Sequence, residues 1–138
     1  MHASTAAVET WRRFCDGVTH KQVAEFDDIV SERAHLVIGT APGEHVTDRA
    51  AMRFGFETEG IALRSRSPEG WEEGPVAWVV DEPRFDFPDG SGVDCRTTAV
   101  LLAEAGRWRI VHAHFSVGVP DDEVAALQAR WAGAASGQ

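Results

Sequence analysis

The sequence predicts an α+β domain, with helices first and a mostly antiparallel sheet after them. Three observations carry this. Residues 5–19 place Val8, Trp11, Phe14, Cys15 and Val18 at helical spacing, with Glu9, Arg12, Arg13 and Asp16 on the other face. From Ile61 onward the pattern changes to short apolar or alternating runs divided by turn residues. Near the carboxyl end, two long strand-like runs, 93–103 and 107–116, flank the tight turn Ala105-Gly106. Helices followed by a run of strands give an α+β arrangement. A curved sheet wrapped over a long first helix would leave a closed-ended pocket.

The elements follow in order. Gly17 weakens the last turn of the first helix. A second helix fits 21–30, with Val23, Phe26, Ile29 and Val30 inward. His35 to Ile38 is a short strand, and Ala41-Pro42-Gly43 breaks the chain. Thr47 or Asp48 can cap a third helix, which runs to about Glu59 and ends at Gly60. Ile61 to Arg66 alternates as a strand does, and Val76 to Val80 is an apolar strand centred on Trp78. Pro83 demotes the next residues to an edge or a bulge. Pro88 to Gly92 is a turn. Pro120 starts a last helix through Trp131, whose positive end suits Asp121, Asp122 and Glu123. Residues 132–138 are expected to form a loose tail.

At 138 residues the chain is expected to be one domain, 1–138, large enough for a core without disulfides or metal. A net charge of -9 argues against nucleic acid as a partner. No apolar run reaches membrane-spanning length, and the start lacks a secretory pattern. Cys15 and Cys95 match no metal-ligand spacing and read as buried free thiols, which points to the cytoplasm. Lys21 is the single lysine among thirteen basic residues, a bias that suits a GC-rich bacterial genome. No phosphate-binding glycine loop and no nucleophile-elbow serine occur, so no cofactor and no metal are expected.

A two-residue turn at Ala105-Gly106 sets a register for the last hairpin. Glu104 would face Arg107, Val100 would face Val111, Thr98 would face Ala113, and Arg96 would face Phe115. One face would then carry Arg96, Thr98, Val100, Leu102, Val111, Ala113 and Phe115. The other would carry Thr97, Ala99, Leu101, Trp108, Ile110, His112 and His114.

The stretch from Trp11 to Phe14, Leu36-Val37-Ile38-Gly39-Thr40, Ala77-Trp78, Arg96-Thr97-Thr98 and above all Trp108 through Ser116 resemble the nuclear-transport-factor-two-like superfamily. Within it the likeness is greatest to the SnoaL-like group, and more distant to the association domain of calmodulin-dependent kinase. The resemblance implies a cone-shaped α+β fold with an internal pocket, and a homodimer formed through the sheet. It implies a small organic ligand but no single reaction, since members include isomerases, polyketide cyclases, hydrolases, binding proteins and oligomerisation modules. Steroid isomerases of this superfamily use a carboxylate base, a tyrosine and a protonated acid. The matching positions here are Ile38, Phe14 and Thr98, so that set is absent. The same likeness turns the face holding Arg96 and Thr98 toward the pocket.

Ligand contacts are therefore expected from Phe14, Ile38, Trp78, Arg96, Thr98 and Phe115. Catalytic candidates are Arg96, His112, His114 and Glu82. Arg96 could grip a carboxylate or enolate oxygen, or form a structural ion pair with Glu82, Asp94 or Asp86. Glu44 and His45 could act as an acid/base pair at the pocket mouth, or belong to a solvated loop. His112 and His114 share a strand face; a dimer-interface or core role is favoured, and a shifted register would make them pocket-lining bases. No third ligand stands at metal spacing from them. The expectation is a small-molecule-binding protein for an apolar ligand, with cofactor-free isomerase or cyclase chemistry. The alternative is a non-catalytic ligand-binding or oligomerisation module.

Overall fold

The first helix, α1 (Thr5–His20), organises the molecule. Ser4 Oγ caps it by accepting from the Ala7 amide at 3.1 Å, and donates to Glu72 at 2.5 Å. At the far end Lys21 adopts the left-handed conformation (φ 57°) and its amide closes onto the Gly17 carbonyl. The computed structural model describes residues 1–38 and 43–136; the expected Ala41-Pro42 break and Gly39-Thr40 lie outside them.

The remaining elements are β1 (His2–Ala3), α2 (Val23–Ile29), β2 (Val30–Val37), β3 (His45–Val46), α3 (Arg49–Met52), α4 (Phe54–Glu57), β4 (Ala62–Arg64), β5 (Glu69–Glu73), β6 (Val76–Asp81), β7 (Arg84–Asp86), β8 (Gly92–Glu104), β9 (Arg107–Val117) and α5 (Asp121–Ser136). The sheet runs β1-β5-β6-β8-β9-β2-β3, and β7 joins β4 to the start of β8. Every pairing is antiparallel except β2 with β9. The cone-shaped α+β architecture expected from the sequence is present.

Several elements differ from expectation. The helix placed at 47–59 is two short helices. Asp48 caps the first as expected, accepting from Ala51 at 3.1 Å. The break falls at Arg53, which is drawn 2.7 Å from Asp27 and over the Phe26 ring, and Gly55 supports helix poorly. Strand β2 starts at Val30 because Val30 already pairs with Ile110. Strand β5 was not expected, and Pro83 is followed by the short strand β7. Helix α5 continues to Ser136, past Trp131 and into the segment expected to be loose.

The core lies between α1 and the inner face of the sheet. A chain of rings runs through it. Trp11 stacks on Phe14 at 5.4 Å, Phe14 meets Phe56 edge-on at 5.2 Å, and Phe56 meets Phe26 edge-on at 5.3 Å. Leu36, Leu63, Leu101 and Ile110 complete it, all at or below 1% exposure. The helical stripe Trp11-Phe14-Cys15-Val18 read from the sequence is buried as a unit. Both cysteines are free and buried, as expected.

Candidate functional site

The geometry of the site is decided by one irregularity. The turn Ala105-Gly106 has both residues at positive φ (52° and 78°), the twist a two-residue hairpin needs, and Glu104 pairs with Arg107 as expected. The register then shifts: Leu101 pairs with Ile110, but Val100 pairs with His112, leaving Val111 as the extra residue of a bulge. Thr98 therefore faces His114 rather than Ala113, and Arg96 faces Ser116 rather than Phe115.

The two faces are re-sorted by this shift. Cys95, Thr97, Ala99, Leu101, Ile110, Ala113 and Phe115 are buried and turn inward. Arg96, Thr98, Val100, Leu102, His112 and His114 turn outward. The physical reason is that an inward set must be apolar and small enough to pack on α1. The alternation Thr97-Ala99-Leu101 meets that need and Arg96-Thr98-Val100 does not. The face expected to line the pocket is thus corrected for β8, while Ala113 and Phe115 keep the inward place assigned to them.

On the inner side, beyond the end of the aromatic chain, lies a cavity of about 640 Å³. Phe14, Ile38 and Phe115 line it, as expected from the sequence. Residues the sequence did not single out supply most of the rest, among them Val18, Met52, Phe56, Leu63, Phe85 and Cys95. Phe54 and Phe87, 62% and 38% exposed, also border it. Glu44 is the one carboxylate of the lining among the described residues. Burial pushes the Cys95 thiol up. His45, beside Glu44 in sequence, turns the opposite way: its Nε2 is 2.9 Å from Nδ1 of His35. Glu44 lines the cavity and His45 does not, so the two do not share a site.

Trp78, Arg96 and Thr98, expected at the pocket, sit on the outer face. A shallow groove there, of about 470 Å³, brings together Arg96, Thr98, His114, Ser116, Ser67 and Glu82. Arg96 forms no ion pair among the described residues. Two of the three acids expected to hold it are used elsewhere: Arg64 and Arg84 take Asp86, and Arg66 and Arg84 take Asp94; the third, Glu82, shares the groove with Arg96 without pairing to it. His112 is also outside, with Nδ1 2.8 Å from the carbonyl of His35 and the two rings 4.7 Å apart. His112 and His114 therefore belong neither to the core nor to the cavity. No cluster of metal-ligating side chains occurs among the described residues. No described helix is long and apolar enough to cross a membrane.

Residues 8–120 match the SnoaL-like domain. The chain belongs to this family, and with it to the nuclear-transport-factor-two-like superfamily. No curated protein matches it in sequence. Among solved structures, the SnoaL-like chain is similar to an uncharacterized protein with a cystatin-like fold from Caulobacter vibrioides, with TM-score 0.70, 19% identity, and 91% and 96% of the two chains covered. It is similar to a protein of the nuclear-transport-factor-two-like type from Pseudomonas putida, with TM-score 0.68, 16% identity, and 88% and 94% covered. It is also similar to the association domain of CaMKII from C. elegans, with TM-score 0.65, 18% identity, and 80% and 92% covered. These likenesses establish the fold.

Proposed function

We propose that this SnoaL-like domain binds a small, mostly apolar organic molecule in the cavity between α1 and the inner sheet face. The observation that supports this is the cavity itself. About 640 Å³ falls within the range of small-molecule sites, and the wall is aliphatic and aromatic apart from Glu44, Ser116 and Cys95. A wall with so few hydrogen-bonding groups favours a flat or greasy ligand, because a polar ligand would lose its water without replacement.

Cofactor-free isomerisation or cyclisation in this cavity would run through Glu44, whose carboxylate could take and return a proton at a carbon next to a carbonyl. Arg96, His112, His114 and Glu82 lie on the far side of the sheet and would not reach such a ligand. A second reading, a non-catalytic binding or assembly module, is supported by the composition of the lining, which is aliphatic and aromatic over most of its wall and offers one carboxylate among the described residues. In both readings the protein works as a homodimer through the outer sheet face. That face is covered by no described helix and carries Trp71, Trp78, Val80, Val100 and Leu102.

The test uses a naphthalene-based fluorescent probe and the variant Val93→Trp, which fills the cavity from its wall. Saturable binding of one probe per chain is expected, lost in Val93→Trp while the far-ultraviolet circular dichroism stays unchanged. Equal binding by the filled variant would place the probe elsewhere and remove the proposal. A co-purified or screened ligand that is turned over, with Glu44→Gln abolishing turnover but not binding, decides for the enzyme; binding without turnover decides for the module.

A further inference from the structure

We propose that the cavity selects a protonated organic amine, its ammonium group at the Glu44 carboxylate and its flat apolar body on the phenylalanine rings. This rests on the cavity reading above and names the class of ligand, whether or not that ligand is turned over.

Glu44 is the one charged side chain of the lining among the described residues. The amide of Ile38 donates to the Glu44 carbonyl at 3.0 Å, one step beyond the pairs Leu36–Val46 and Val37–His45, so the backbone here is held by the sheet. Ile38 and Val46 line the cavity beside Glu44, which is half-buried. The carboxylate therefore stands where the hollow meets solvent.

The charge a ligand can carry depends on what answers it in the wall. No lysine or arginine lines the cavity among the described residues. The nearby cations are engaged elsewhere. Lys21 gives its ammonium to the carbonyls of Val18, Gly55 and Ile61, behind the wall. Arg49 and Arg53 reach Asp27, Arg64 and Arg84 reach Asp86, and Arg96 opens to the outer groove. The stretch 39–42, next to Glu44 in the chain, contains no basic residue. A ligand carboxylate or phosphate would lose its water here, meet no cation, and face Glu44 as a like charge. An ammonium would meet the one opposite charge of the wall and donate to it a charge-assisted hydrogen bond.

The rings define the body of the ligand. Phe87 stacks on Phe85 with centroids 6.1 Å apart and planes 8° from parallel, and Phe85 meets Phe115 at 5.3 Å. Exposure falls along this series, from 38% at Phe87 to 3% at Phe115, so the rings lead from the rim inward. A fused aromatic or alicyclic body can lie along them.

The experiment is calorimetric titration of the full chain at neutral pH with naphthylmethylamine, naphthylmethanol and naphthoate, which share one ring system. The amine is expected to bind about tenfold or more tighter than the carboxylate, with the alcohol between them. Val93→Trp should remove amine binding. Glu44→Gln should bring amine and carboxylate to within about threefold of each other, and Glu44→Lys should reverse their order. The chain's charge of -9 would itself favour an amine at any surface site, and the Glu44 variants separate that general attraction from the local one. Glu44 is at the rim, so the circular dichroism of both variants should match the parent; should Glu44→Lys fail to fold, the near-isosteric Glu44→Gln carries the test. If none of the three compounds binds, or Val93→Trp leaves binding untouched, the cavity reading itself falls. If they bind in the cavity but the carboxylate matches the amine, or the amine keeps its full advantage in Glu44→Gln, the cavity reading stands and the choice of an amine is overturned.

Discussion

The indole nitrogen of Trp11 donates to Asp81 Oδ2 across 2.8 Å, tying the middle of α1 to the inner face of β6. Asp81 is 5% exposed, an unusual place for a carboxylate in an otherwise apolar layer. Its other oxygen accepts from the amides of Ser67 (2.8 Å), Glu82 (2.8 Å) and Arg66 (3.3 Å). Burial pushes this carboxyl up, but the indole of Trp11 and the amides of Ser67 and Arg66 outweigh it and hold it below the usual aspartate range. The cluster fixes the angle between α1 and the sheet, and so the shape of the cavity beyond.

A folded-state value below the unfolded one gives stability that is present above the unfolded value, about pH 4, and is lost as pH falls through the folded value. Asp81→Asn keeps the shape but loses the charge and orphans part of the donor set. Urea denaturation at pH 7 should show a loss of about 2–4 kcal/mol. The gap between variant and parent should narrow when the same measurement is made at pH 3. A gap of equal size at both values would show that the charge contributes nothing.

Gly17 is a glycine in a helix interior, where alanine would ordinarily add about 1 kcal/mol. A Cβ there would come 2.4 Å from the Phe56 ring. That ring is fully buried and wedged between Phe14 and Phe26, so it has no free rotamer to move into except toward the cavity. Gly17→Ala should therefore lower stability by about 1–3 kcal/mol despite the better helix former. It should also weaken probe binding, since Phe56 lines the cavity. A thermal melt at or above the parent's would contradict this packing.

These two sites show what the sequence could and could not disclose. The α1 stripe and the Ala105-Gly106 turn were legible because each is set by nearby residues: a helical period in one case, two positive φ angles in the other. The bulge at Val111 was not, because it arises from fitting Leu101 and Ala113 into the same inner layer, a condition on residues twelve apart in the chain. That one extra residue moves Thr98 from Ala113 to His114, and so carried Arg96 and Thr98 out of the expected pocket. Strand β5 was missed because Glu69-Gly70-Trp71-Glu72-Glu73 has no apolar alternation; its Gly70 is there to let Val8 of α1 come close. Gly17 reads locally as a weak last turn of α1, and its reason is a tertiary one, the closeness of the Phe56 ring. The cavity wall drew on α3, α4, β4 and β7, whose contributions become a set only when the chain closes.

Lys21 holds three carbonyls at once: Val18 at 2.8 Å, Gly55 at 2.9 Å and Ile61 at 2.7 Å. It thereby joins the end of α1 to both ends of the α4 segment. Burial lowers its basicity, and nearby Glu59 only partly offsets this. Lys21→Met keeps the aliphatic stem and removes the donor. It should cost about 1–3 kcal/mol and raise amide exchange between Phe54 and Ile61 more than in β8 or β9. Uniform exchange across the domain would show that the contact is not local to α4.

The two thiols differ in what they face. Cys15 is 1% exposed within the core, and burial, aided by the negative charges of Asp81 and Asp16, pushes its thiol well up. Cys95 is 6% exposed but borders the cavity, and its thiol is also pushed up, chiefly by burial. The thiolate is the reactive form, so both should be slow at neutral pH and faster as pH rises. A small uncharged thiol reagent that enters the cavity should modify Cys95 and leave Cys15 intact, as peptide mass mapping would show. An apolar compound occupying the cavity should slow that modification further, without any change in the unfolded protein. Reaction at Cys15 first, or a Cys95 rate indifferent to cavity occupancy, would mean that the hollow does not reach β8 as described.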